Sequence, residues 1–340
     1  MKKLVSVSAS SFLTLVMLSA CSDNGSEEAA SSDQGEWSPT NNLEFVAPAG
    51  AGGGWDTTAR MAAQAFEEAG IVDVGIGVIN REGGGGAVGW SYIANQAGDP
   101  HYLFAASPPL LLIPLNGQSE YSYEDFTPIA NVIADFGAFA VRDDAPWQDL
   151  NELFEDMQDE SSSITVVGES APGSMDHVQF VNIAKAAGVD PGSITYVSAQ
   201  DGSAMTNLLN GSVDVYSTGV TETIEQVRAG EVRVLAVTAE ERLEGDTVED
   251  YPTAIEQGID EVFVNWRGFF GPPDMTEAEV EYYVNAFTEL NESEEWDAVR
   301  ERYSWDEYFM VGEEYKQFLE EQNEEMRLLL EELDLYGESE

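Results

Sequence analysis

The sequence predicts an α/β protein of two domains with mostly parallel sheets. Three observations lead there. Short apolar, β-branched runs alternate with helical stretches over most of the chain. The loops that follow the strand-like runs are rich in Gly and Ser and open directly into helices, as in layered α/β folds. Two stretches, near Val141 to Pro146 and near Val264 to Pro273, look like crossings between sheets. Two crossings make the middle third an insertion, so one domain is expected over residues 43–142 plus 266–340 and the other over 143–265.

The elements follow in order. Lys2 and Lys3 precede an apolar run to Leu18 and small residues ending at Cys21, the pattern of a secretory signal over residues 1–20. It is too short for a standard membrane span. Leu18-Ser19-Ala20-Cys21 resembles the bacterial lipobox, which implies lipidation of Cys21, an exported chain, and anchoring at the periplasm or cell surface. Cys21 is the single cysteine, so no disulfide forms within the chain. Residues 21–42 are small, polar and acidic, the composition of a flexible tether. "NLEFVAP", "DVGIGVIN" and "HYLFAAS" read as strands, interleaved with helices over "TTARMAAQAFEEAG" and "GAVGWSYIANQAG". "FTPIANVI" and "FGAFAVR" read as two more strands. The middle third alternates in the same way, from the helix "PWQDLNELFEDMQD" to the strand "VRVLAVT". After "EVFVNWRGFFGPP" the chain reads as helical to its end.

Composition limits the function. The 64 Asp and Glu against 14 Lys and Arg give a net charge of -50, while 43% of residues are apolar. That apolar share argues for a folded chain. Such a charge repels itself unless salt screens it, which suggests a protein adapted to high salt. Its sign excludes nucleic acid as a partner.

The loops after the strands share one chemistry. "GAGGGWD", "NREGGGGAVG", "AASPP", "GESAPGSMDH", "VSAQDGSA" and "YSTGVTE" combine small residues with helix starts. Backbone N–H groups at a helix N-terminus, with the dipole behind them, suit an anion. Gly52 to Gly54 therefore read either as anion contacts or as a tight turn. Asp56 is a first-turn acid that could cap the helix or orient the ligand, and Trp55 could pack in the core or wall a cleft. Arg267 could pair with a ligand carboxylate or hold a hinge by a salt bridge. Gly84, Gly86 and Gly89 match a dinucleotide fingerprint but lack the acid expected about 20 residues later. "GESAP" approaches a nucleophile elbow, with Ser170 and His177 as a conceivable pair, yet Pro172 stands where that turn needs glycine. No Cys or His spacing supports a metal, and no cofactor is expected.

These motifs together resemble the substrate-binding lipoproteins of tripartite tricarboxylate transporters, also called the Bug family of periplasmic receptors. The resemblance runs from about Glu44 to Met310. "AGGGWDTTAR", "NREGGGGAVGWSYIA", "YEDFTPIA", "APGSMDH", "LLNGSVDV", "AGEVRVLAVTAEER", "YPTAIEQG" and "NWRGFFGPP" follow in family order. It implies a two-domain periplasmic-binding-protein fold, type II-like, closing on its ligand like a flytrap about a hinge cleft. It further implies a monomeric, non-enzymatic receptor that captures an organic di- or tricarboxylate and delivers it to integral membrane permease subunits. The site residues it implies are Gly53, Gly54, Trp55, Asp56, Gly84, Gly85 and Ser107 in the first domain, with Gly173, Ser174, Gly202 and Gly219 in the second. Glu82 and Gln200-Asp201 depart from the family pattern; an acid at 201 either stands near the mouth, where it would favour small dicarboxylates over citrate-like ones, or faces solvent on a surface that is acidic throughout. Other readings are an aromatic carboxylate or amino acid as ligand, a sensor role, or a secreted hydrolase.

Overall fold

A computed structural model describes residues 37–159, 163–199 and 202–337. Cys21, the signal and most of the tether lie outside the described residues, as do Gln200 and Asp201. In chain order the strands are β1 (Leu43–Ala47), β2 (Ile76–Asn80), β3 (Tyr102–Ala106), β4 (Thr127–Arg142), β5 (Thr165–Gly168), β6 (Thr195–Ser198), β7 (Val215–Gly219), β8 (Val232–Val237), β9 (Val264–Gly271) and β10 (Asp306–Val311). The α-helices are α1 (Gly54–Ala69), α2 (Ala87–Ala94), α3 (Pro109–Leu115), α4 (Leu150–Met157), α5 (Met175–Ala186), α6 (Ala204–Leu209), α7 (Ile224–Arg228), α8 (Glu277–Asn291), α9 (Glu294–Tyr303) and α10 (Gly312–Glu332).

The α/β two-domain fold is the one expected, but its sheets are mixed. In the first lobe β2, β1 and β3 are parallel, as βαβ units require, and β9 then lies antiparallel to both β3 and β4. In the second, β6, β5 and β7 are parallel, and β7 and β8 run antiparallel to β4. The long strand β4 explains both departures. Its first part pairs with β9 as far as Phe136, and from Gly137 onward it pairs with β7. One strand therefore serves both sheets. The sequence splits it in two at Asp135-Phe136-Gly137, because a charge and a glycine interrupt the apolar run. Tertiary contacts compensate: Gly137 donates to Thr238 Oγ1, and a Cβ on it would lie 2.4 Å from Gln179 Oε1.

Three further differences have local causes. β10 is a strand inside the segment read as helical. Its acidic start at Asp306 and Glu307 hides the pattern, while pairing with β4 supplies the hydrogen bonds that hold it. α3 is a helix in a stretch given no element from the sequence, and it buries the apolar run from Pro109 to Ile113. Trp37, inside the stretch expected to be a tether, packs its ring against Tyr282 and Tyr283.

Each lobe has its own core. Phe45, Phe66, Phe269 and Phe287 centre one, and Phe139, Phe154 and Phe180 another. Burial of such side chains contributes roughly 1.5–3 kcal/mol each. The helix α10 belongs to both lobes: Met326, Leu329 and Leu330 share a buried cluster with Leu112 of α3 and with Val178 and Val181 of α5. Lys185 pairs with Glu332 at the same seam.

Candidate functional site

The strand-end loops converge on a cleft of about 190 Å³ between the two sheets. From the first lobe come Ala49, Gly54, Trp55, Ser107 and Pro109. From the second come Glu169, Met175, Asp176, Thr218, Gly219 and Glu222, while Asn265 and Arg267 of β9 form the floor.

The first-lobe wall is built to donate. Helix α1 has Gly53 at its N-cap with no side-chain cap, so its first-turn N–H groups lack an intrahelical partner. Trp55 Nε1 donates to Ser107 Oγ at 2.9 Å, which leaves the Ser107 proton free to donate in turn. Asp56 sits behind this wall. It accepts from Gly52 N–H and Asn80 Nδ2 at 2.8 Å each, and it pairs with Arg60 at 2.8 Å. Burial alone would raise its pKa, but Arg60, Gly52 and Asn80 together hold it below the usual carboxylate range. Asp56 fixes the glycine loop and does not line the cleft.

Arg267 explains one of the glycines. Its Nη2 donates to Asp135 Oδ2 at 2.8 Å, with both side chains buried. The guanidinium lies so close to the start of α1 that a Cβ on Gly54 would be 2.1 Å from Nη1. Gly54 is thus the position where the helix can meet the arginine. Arg267 Nε has no hydrogen-bond partner. Both roles weighed from the sequence coexist: the pair joins β9 to β4 where the lobes meet, and the same side chain faces the cleft.

The second-lobe wall is acidic, contrary to the expectation of local positive potential. Asp176 accepts from the N–H groups of Glu169 and Ser170 at 2.8 and 2.9 Å, so it occupies backbone donors that a ligand anion could have used. Burial, with repulsion from Glu169, pushes its pKa up to about 6 against those bonds. The Glu222 carboxylate folds back over Gly219, 2.6 Å from where a Cβ would stand. The residue is exposed at the cleft, but its carboxylate lies against Gly219 among neighbouring acids, and desolvation there together with the charge of Asp135 pushes its pKa upward. With four acids nearby, Arg267 is the cation among the described wall residues.

Of the residues singled out from the sequence, Gly54, Trp55, Ser107 and Gly219 line the cleft. Gly53 is the α1 N-cap. Gly84 and Gly85 form a tight turn before α2, with Gly85 close to Ile113. Gly173 and Ser174 lead into α5 just before Met175. Gly202 precedes α6 at φ 75° and has no neighbour near its would-be side chain. Glu169, Asp176, Glu222 and Asn265 escaped the sequence reading. Glu222 stands three residues after the strand-end Gly219, the one local feature of these four that relates to its place in the cleft.

Ser170 and His177 do not pair. Ser170 Oγ accepts from Asp176 N–H at 2.9 Å, whereas His177 Nδ1 accepts from Gly173 N–H at 3.0 Å. Burial lowers the His177 pKa to about 4, and its ring packs 4.4 Å from that of Tyr196. The nucleophile–base hydrogen bond that a hydrolase needs is therefore missing from this pair.

A model of the tripartite tricarboxylate transporter family receptor matches residues 59–335. A UPF0065 protein in the TAR-I ttuE-ttuC' intergenic region of Agrobacterium vitis is 26% identical over 246 residues, 69% of this chain and 67% of that protein. Among solved structures, a TctC solute-binding protein from Polaromonas is similar with a TM-score of 0.68 and 24% identity, covering 87% of this chain and 99% of that one. MatC from Rhodopseudomonas palustris with bound malate gives 0.67 and 24%, over 86% and 99%. An R. palustris protein with adipate gives 0.73 and 20%, over 87% and 98%. At these identities the solved structures establish the fold.

Proposed function

The chain belongs to the tripartite tricarboxylate transporter receptor family, and from that premise we propose that it captures an organic di- or tricarboxylate between its lobes. The observation that carries this reading is the convergence of the uncapped α1 N-terminus, Ser107 and Arg267 on one cleft. Backbone donors, a hydroxyl and a guanidinium together match a carboxylate in charge and in hydrogen-bond type. A volume near 190 Å³ suits a small metabolite. Malate and adipate, held by relatives of the same fold, belong to that class.

The two lobes, residues 43–142 plus 266–340 and 143–265, close about the crossing strands β4 and β9. The ligand acts by binding both walls and so favours the closed state. The loaded receptor then meets the membrane permease subunits of its transporter. We place the chain outside the cytoplasm as a monomer held by lipid on Cys21. Members of the family are periplasmic solute-binding proteins, and among the described residues no helix is long and apolar enough to cross a membrane. An aromatic carboxylate is the second reading, favoured by the Trp55 ring in the wall.

A thermal-shift screen against succinate, malate, adipate, citrate, tricarballylate and terephthalate tests this, in low salt and in about molar salt to screen the net charge. A ligand that binds the native state raises the melting temperature progressively with concentration. No shift from any of these acids, with the protein shown to be folded, would refute carboxylate capture.

A further inference from the structure

The lobes also meet beside the cleft, through side chains that do not line it. Helix α3 begins at the cleft with Pro109 and is followed by Asn116, whose Nδ2 donates to Gly173 O at 3.4 Å, a long bond. Gly173 has φ 77°, a conformation that favours glycine. A Cβ there would meet Asn116 Nδ2 at 3.2 Å and a methyl carbon of Leu330 and of Leu335 at 3.5 Å each. Three side chains of the first lobe thus rest on one backbone position of the second. The residues that follow Gly173 are Ser174, the α5 N-cap, and Met175, which lines the cleft. Met175 also packs on the buried cluster that holds Leu112, Leu330, Val178 and Val181.

The chain after α10 is shaped to keep this contact. Asp334 takes φ 55°, and the Leu335 and Tyr336 N–H groups donate back to Leu330 O at 2.9 and 3.1 Å. That turn lays Leu335 on Gly173. Gly337 N–H then donates to Leu115 O at 3.0 Å, which fixes the tail to α3. A Cβ on Gly337 would lie 2.6 Å from Asn116 O, so an alanine there would push the tail off α3.

We propose that residues 333–337 and the end of α3 form a clasp, in which Asn116, Leu330 and Leu335 are positioning residues that hold loop 173–175 and so set how far the unliganded lobes stand apart. The same helix and the same loop carry Pro109 and Met175 on the two sides of the cleft, so opening the cleft pulls on the clasp. A receptor whose binding-competent state is only fractionally populated loses affinity by that fraction. The clasp therefore tunes affinity from outside the cleft, without a contact to the ligand. This inference rests on capture between the lobes and adds the contact that governs their closure.

The experiment compares the full chain with Leu335→Ala, Leu335→Met and Asn116→Ala, without ligand and in about molar salt to screen the net charge. Hydrogen exchange is read at the Ser174 and Val178 amides, which donate to Ala171 O and Ser174 O. The control amides are Glu44 and Arg81, which donate to His101 O and Ala47 O in the first lobe. Leu335→Ala should exchange ~10-fold faster at Ser174 and Val178 alone, and its radius of gyration by small-angle scattering should rise. Asn116→Ala, which removes only a long hydrogen bond and keeps the core intact, should act in the same sense. Leu335→Met, close to leucine in volume, should restore parental behaviour. In a malate titration Leu335→Ala should bind ~10-fold more weakly, in proportion to its closed fraction. Parental exchange and radius of gyration in both alanine variants overturn the clasp, as does faster exchange that extends equally to Glu44 and Arg81. Local exchange at Ser174 and Val178 supports it even where malate binds none of the proteins, a result that counts against malate alone.

Discussion

Gly54→Ala tests whether the contact between α1 and Arg267 organises the cleft. The added Cβ would lie 2.1 Å from Nη1, 2.4 Å from Nη2 and 2.6 Å from Cζ of Arg267. Ordinary contact needs about 3.5–4 Å, so the guanidinium has to move by roughly 1.5 Å. That shift breaks the 2.8 Å bond from Nη2 to Asp135, whose carboxylate is buried beside it. Losing one partner of a buried pair costs about 3–5 kcal/mol, and partial relaxation puts this case at ~3 kcal/mol. The unfolding entropy, about 2.1 cal/mol/K per residue over ~300 residues, is ~0.6 kcal/mol/K, so the melting temperature should fall by ~5 °C. Carboxylate affinity should drop by ~30-fold or more, because the displaced group is the cation of the wall. The neighbouring glycine is the control. Gly53 has φ -72°, and a Cβ there meets Gly50 O at 3.4 Å, an ordinary contact. Gly53→Ala should therefore stay within ~0.5 kcal/mol of the parent. Scanning calorimetry and ligand titration of both variants decide the matter. Equal melting temperatures and equal affinities for the two would refute the packing argument.

Two other changes probe the shell around the cleft. Asp56→Ala leaves the Gly52 N–H without its partner and removes one of the two bonds that Asn80 Nδ2 donates, the other going to Ala49 O, and should cost ~2–3 kcal/mol in urea unfolding. Because the folded-state pKa of Asp56 is lowered, its stabilisation is present above the unfolded value of about 4 and is lost as pH falls through the folded one. The gap between parent and Asp56→Asn should accordingly narrow in acid. His177 has its folded pKa lowered to about 4, so the unfolded chain takes up that proton first and stability falls as pH drops from about 6.5 toward 4. Asp176, raised to about 6, acts in the opposite sense between 6 and 3.8. His177→Gln keeps an acceptor for Gly173 N–H and removes the first effect alone. Over that range it should gain up to ~3 kcal/mol on the parent, read from urea midpoints at successive pH values.

Much of the architecture was legible in the residues. The β1–α1–β2 alternation needs only periods of two and 3.6 with Gly at the ends, and those depend on near neighbours in sequence. The same holds for the uncapped Gly-rich start of α1 and for Trp55 and Ser107 at strand ends. The single strand β4 was not legible. Asp135 and Gly137 look like a break until Arg267 and Gln179, each distant in sequence, supply the partners that let the strand continue. β10 likewise depends on β4 for its hydrogen bonds.

The character of the cleft was decided at the tertiary level. Gly54 in the sequence is one of several glycines in a loop, and its neighbour 213 positions later, Arg267, determines why no side chain fits there. Glu169, Asp176 and Glu222 are three acids among 64, with nothing in their local pattern to set them apart. They acquire a role because the segments that follow β5 and β7 of one sheet end at the same place, opposite the donors of another. Helix and strand periodicity is a property of neighbours along the chain, whereas the charge of a cleft is a sum over residues that folding alone brings together.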